Sequence, residues 1–98
     1  MLSNNQLKYL KDLGKKIDKK YTLGKKTVHK NFIVLVDKGL TANELVKVSI
    51  LNGTPESVAS AADILVKELR CELVSKIGHT LLLYRMNPNR MRIFLPRS

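Results

Sequence analysis

His29-Lys30-Asn31-Phe32-Ile33-Val34-Leu35-Val36-Asp37-Lys38-Gly39-Leu40 admits two readings, and the architecture of the whole chain turns on which is taken. With the preceding residue included, Val28, Phe32, Leu35, Val36, Gly39 and Leu40 fall on one face of a helix. The β-branched run from Phe32 to Val36 suits a strand equally well, and local propensity does not decide between them. We prefer the helix. With Ile33 and Val34 also apolar, it is expected to be the most buried helix of the domain.

Toward the N-terminus, Lys20-Tyr21-Thr22-Leu23 is β-branched and aromatic for its length, and reads as a short strand ending at Gly24. Before it, Ser3 or Asn4 can cap a helix carrying the apolar series Leu7, Leu10, Leu13 and Ile17, with Gly14 a candidate end. At 100° per residue, Lys8, Lys11 and Lys15 fall on the face opposite the leucines. This helix would bury one side and present a basic one.

Toward the C-terminus, Glu44 to Leu51 alternates apolar and polar residues as a strand does, with Leu45 out of phase, until Asn52-Gly53 breaks it. Thr54-Pro55-Glu56 supplies a cap, a proline at the first helical position and a carboxylate near the positive helix end. A third helix follows, with Val58, Ala62, Leu65, Val66 and Leu69 as its buried stripe and Ala59 and Ala61 permitting close approach to a sheet. Cys71–Ile77 and Thr80–Tyr84 read as a hairpin around Gly78-His79, Gly78 taking the positive φ. Asn87-Pro88-Asn89 is a turn before a tail bearing Arg90, Arg92 and Arg97. One compact α+β domain over residues 1–98 is expected, ordered α-β-α-β-α-β-β, with the sheet packed by helices.

Ninety-eight residues make a single domain with a small core. The chain is 44% hydrophobic without a run of eighteen apolar positions, so neither disorder nor membrane insertion is expected. The start lacks the apolar run of a signal peptide and Cys71 is the lone cysteine, so a cytoplasmic location is expected. The net charge of +10 is uneven: residues 1–30 hold nine lysines against Asp12 and Asp18, while residues 31–98 hold nine basic and six acidic side chains. Such a field attracts polyanions by steering and counterion release.

Few enzyme chemistries fit. Aligning Gly24 with the second glycine of a P-loop puts lysines where the first glycine and the hydroxyl must be. Cys71 has no base linked to it by any signature, and reads as a core-lining strand residue. One cysteine with His29 and His79 is short of a zinc ligand set. No catalytic residue, metal or other cofactor is expected.

What remains is a backbone clamp. Gly24 lets a sugar-phosphate strand approach the main chain, the next helix offers unpaired N–H groups, and Lys25 and Lys26 add charge, much as KH domains grip nucleotides with a Gly-x-x-Gly loop. An ordinary solvated turn would look similar, and a module whose basic surface meets an acidic protein partner is the alternative. Of the aromatic residues, Phe32 is expected in the core, and Tyr9, Tyr21 and Tyr84 are the ones considered for presenting a ring face.

The chain also resembles the YhbY family, the bacterial single-domain form of the CRM (chloroplast RNA splicing and ribosome maturation) domain. The resemblance rests on Leu2-Ser3-x-x-Gln6 with Leu10, on Leu23-Gly24, on Glu44-Leu45-Val46-Lys47-Val48, and on Ile77-Gly78-His79-Thr80-Leu81-Leu82-Leu83-Tyr84-Arg85. It implies a fold similar to the C-terminal domain of translation initiation factor three, with a Gly-x-x-Gly loop at Gly24-Lys25-Lys26-Thr27. It also implies RNA as partner, specifically ribosomal RNA in precursors of the large subunit. Three positions depart from the family pattern: Thr27 stands at the second loop glycine, Lys19 replaces a proline, and Arg70 occupies a glycine after the third helix. The resulting RNA-binding candidates are Gly24, Lys25, Lys26, Thr27, Lys8, Lys11, Lys15, Lys30 and Arg85, acting in a monomer that needs neither membrane nor small-molecule substrate.

Overall fold

The ambiguous stretch is a helix. The structure, a computed structural model, describes residues 2–24, 28–52, 54 and 57–97. In it Lys30–Asn43 forms α2, begun by His29, whose Nδ1 accepts from the Phe32 N–H at 3.2 Å. The tertiary setting explains why helix prevails over strand. The flanking strands β1 (Lys20–Leu23) and β2 (Leu45–Ile50) pair in parallel, so the chain between them must cross back over the sheet. Gly39 marks where α2 meets β1, since a Cβ there would clash with the hydroxyl end of Tyr21. Glycine within a helix costs about 0.5–1 kcal/mol, and here it gives the aromatic ring its place.

The other elements are α1 (Asn4–Gly14), α3 (Val58–Leu69), β3 (Glu72–Ile77) and β4 (Thr80–Tyr84), which gives the expected order and an α+β class. The four-stranded sheet runs β1-β2-β4-β3, parallel at the first pair and antiparallel at the other two. Two cores result. On one face α2 and α3 pack Phe32, Val36, Leu40, Ala61, Ala62, Leu65 and Leu69 against Leu23, Val46, Val48, Ile50, Leu81 and Leu83. On the other, α1 lays Leu10 over Leu45, Val74, Leu82 and Tyr84. This explains why Leu45 breaks the alternation of β2: it shares the outer, polar phase but lies under α1.

Several local expectations are corrected. Glu44 is not the first strand residue but the left-handed cap of α2, at φ 66°. Helix α3 starts at Ser57, whose hydroxyl accepts from the Ser60 N–H, rather than at Thr54. The Thr54 hydroxyl instead lies within bonding reach of the Leu51 carbonyl, at 2.7 Å, and of the Gly24 carbonyl, while Pro55 and Glu56 lie outside the described residues. Leu35 is not on the buried face of α2. It and Val34 are almost half exposed, because no further layer covers the outer side of that helix. Ala59 is likewise exposed. The hairpin is as expected, with Gly78 at φ 59°.

Candidate functional site

Helix α1 and its C-cap present three exposed lysines. A capping box starts it: the Ser3 hydroxyl accepts from the Gln6 N–H and the Gln6 side chain accepts from the Ser3 N–H. With Leu10 anchored in the second core, Lys8, Lys11 and Lys15 are all exposed. Lys15 pairs with Asp12 at 3.7 Å, but both side chains are largely solvated, so the pair contributes little.

These lysines form one wall of a groove of about 520 Å³ between α1 and the part of the sheet that α1 leaves open. Its floor is made by Lys20, Lys47, Ser75, Ile77, Thr80 and Leu82, which share the outer phase of the four strands. Sequence reading missed Lys20 and Lys47 as site residues. The signal was present, since both occupy the polar phase of their strands, but it required knowing that the phase faces a groove and not open solvent. Lys20 and Lys47 are register partners, an arrangement of like charges that repels. The Lys47 ammonium turns aside to donate to the Ile17 carbonyl just past α1, at 2.9 Å.

Gly24 lies at the other end of β1 from Lys20, about 13 Å away at the usual rise per strand residue. The same end of the sheet carries the β3–β4 turn, where the Ile50 N–H donates to the His79 carbonyl, and the N-terminus of α2 with exposed Lys30. Lys30 therefore stands beside the loop but on the α2 side of the sheet, not in the groove. A Cβ on Gly24 would meet nothing within 4 Å, so internal packing places no demand for glycine there. Lys25, Lys26 and Thr27 lie outside the described residues.

Arg85 is brought to neither place. It follows β4 at the opposite end of the sheet, where its guanidinium donates to the Asp37 carboxylate (2.8 Å), the Leu69 carbonyl (2.9 Å), the Asp37 carbonyl and the Thr41 hydroxyl. That geometry ties the end of β4 to α2 and α3. Next to it is a residue to which the sequence pointed only as part of a motif. Glu44 is fully buried, its Oε2 accepts from the Asn87 N–H (2.7 Å), and its Oε1 accepts from the N–H groups of Arg92 (2.6 Å) and Ile93 (2.8 Å). Burial works to raise its pKa, but the three N–H donors and the Arg92 charge outweigh it and hold the carboxyl below the ordinary glutamate value.

The aromatic expectations need correcting too. Tyr84 is buried and Tyr21 packs against α2, whereas Phe94, not considered as a ring face, is 70% exposed. Cys71 does line the core, and burial pushes its thiol up to about 11, so it stays protonated and unreactive at neutral pH. Among the described residues no helix is long and apolar enough to cross a membrane.

Comparison with known proteins agrees with this architecture. The solution structure of the hypothetical protein SAV1595 from Staphylococcus aureus superimposes with a TM-score of 0.80 at 33% identity, over 98% of this chain and 100% of that one. A protein named "Probable RNA-binding protein YqeI" from Bacillus subtilis is 34% identical over 96 residues, covering 98% of this chain and all of the relative. One named "RNA-binding protein" from Haemophilus influenzae is 29% identical over 97 residues, covering 99% of this chain and 97% of its own length. The model of the CRS1 / YhbY (CRM) domain matches residues 2–85, and the chain belongs to that family.

Proposed function

We propose that this protein binds RNA along a path from the α1 groove to the Gly24 loop, and that the RNA is ribosomal, in precursors of the large subunit. The observation that carries the reading is the groove itself: Lys8, Lys11, Lys15, Lys20 and Lys47 line one hydroxyl-bearing surface on which Asp12 is the only acidic residue among the described residues. Such a surface meets phosphates and ribose hydroxyls rather than base edges. At the end of the path, the open space around Gly24 suits close approach of a backbone, with Lys25 and Lys26 beside the phosphates. The names of the relatives support RNA as the partner, and the resemblance to the YhbY family supports its ribosomal source.

The test has two arms. Replacing Lys25 and Lys26 by Ala is expected to weaken RNA binding and lower the slope of log affinity against log salt by roughly 0.7–0.9 per lost contact. An unchanged slope removes them from the interface. For the finer reading, the protein should sediment with large-subunit precursors and be released by ribonuclease. A complex that survives ribonuclease with a protein still bound would indicate an acidic protein partner instead. Thr27→Gly tests the departure from the family loop, and tighter binding would mean that the native residue weakens the clamp.

A further inference from the structure

The segment after β4 is a strap, pinned at several points and carrying one ring that it does not bury. Glu44 fixes the N–H groups of Asn87, Arg92 and Ile93, and the Gln6 side-chain amide donates to the Pro96 carbonyl at 2.9 Å. Between these anchors the burial alternates: Ile93 and Leu95 pack into the core under α1, while Arg92 and Phe94 face solvent. Single exposed apolar residues are common and need no explanation. Phe94 differs from them because a strap anchored on both sides of it holds it out, and the strap's own charged side chains are all arginines. Residues 86–98 contain Arg90, Arg92 and Arg97 and no acidic side chain, so the strap's own charge suits a polyanion.

The position is also apt. On α1, the strap bond comes from Gln6, nearly opposite on the helix from Lys8, Lys11 and Lys15, and exposed Tyr9 lies on the outer surface between the two flanks. Strap and groove are thus about one helix diameter, ~10 Å, apart.

We infer that Phe94 is a base-stacking contact for unpaired nucleotides of the bound RNA, with Arg90, Arg92 and Arg97 on the flanking phosphates. This rests on the RNA-binding reading and adds to it a preference for single-stranded segments, because a base inside a duplex cannot offer its face to a ring.

The chain contains no tryptophan, so Phe94→Trp creates a single reporter. Its emission should be quenched saturably by a short oligoadenylate. Phe94→Ala should weaken oligoadenylate binding roughly five- to hundredfold and leave binding of a fully paired RNA duplex unchanged. If the native protein binds oligoadenylate, Phe94→Ala binds it equally well and the Trp emission is unmoved, the stacking contact is refuted while the RNA reading stands. Equal loss on both RNAs also refutes it, and so does a Phe94-dependent self-association in sedimentation, which would mean that a second copy covers the ring. A native protein that binds neither RNA overturns the RNA reading and this inference together.

Discussion

The joint at the end of β4 and the groove beside α1 both hold charged groups and use them in opposite ways. At the β4 end, Arg85 and Glu44 direct every hydrogen bond described for them into the protein itself, joining α2, α3, β4 and the strap. Along the groove, Lys8 and Lys11 have exposed side chains facing water, Lys15 has a loose surface pair, and only Lys47 is turned inward. Charge density alone does not separate a binding surface from a structural joint. What separates them is whether the polar atoms already have partners inside the fold.

The joint should therefore fail as a matter of stability. Glu44→Ala removes the acceptor for three partly buried N–H groups and is expected to cost roughly 2–4 kcal/mol in urea unfolding. The same carboxylate makes the fold acid-sensitive. Its folded-state pKa lies below the unfolded value, so its contribution is present above about pH 4.3 and is lost as pH falls through the depressed value. Protection of the Asn87, Arg92 and Ile93 amides, relative to their intrinsic exchange rates, should fall in acid before the sheet opens, and Glu44→Gln should remove that pH dependence. Exchange that stays slow in the strap while the sheet melts would deny Glu44 this role.

Arg85→Ala is expected next in size, at about 2–3 kcal/mol, since it leaves the Leu69 carbonyl and the Asp37 carboxylate without their donor. The informative measurement is RNA affinity of the folded variant, which should be unchanged. A large loss of affinity with native stability would reverse the comparison and return Arg85 to the interface where sequence reading had placed it.

Arg85 also shows what could be read from the sequence and what could not. Periodicity, caps and turn residues gave the element order, the buried leucines of α1 and the hairpin, because those signals are local. The lysine face of α1 was legible for the same reason. Lys20, Lys47 and Glu44 were not, since their roles depend on which strand lies beside which and on a tail that returns some forty residues later to use the Glu44 carboxylate. Phe94 escaped notice because its exposure follows from the inward packing of Ile93 and Leu95, and nothing in the basic tail announced that packing.

Charge removal in the groove should give the converse result to the joint. Lys11→Ala with Lys20→Ala is expected to leave the urea midpoint within about 0.5 kcal/mol of native. RNA affinity should fall roughly tenfold near physiological salt, with a salt slope shallower by about 1.4–1.8 if both side chains meet phosphate. Unchanged affinity would mean that the groove is a solvated surface and that the comparison describes stability only.

The smallest expected effect concerns a residue at the joint end that breaks a backbone rule. Arg70 closes α3 in the left-handed region, at φ 51° and ψ 47°, with its N–H donating to the Val66 carbonyl, and its side chain is exposed. A residue with a Cβ pays about 1–2 kcal/mol for that conformation, which glycine adopts without penalty. Glycine returns part of the gain through its freer unfolded state, so Arg70→Gly should stabilise the fold by about 0.5–1 kcal/mol, visible as a higher urea midpoint at unchanged m-value. Arg70 does not line the groove, although it shares a pocket with Gln6 and Leu95 beside the strap, so RNA affinity and salt slope should not change if the RNA meets only the groove and Phe94. A weaker affinity in the more stable variant would mean that the arginine is kept at a strained position for its charge, and that the joint end contributes to binding after all.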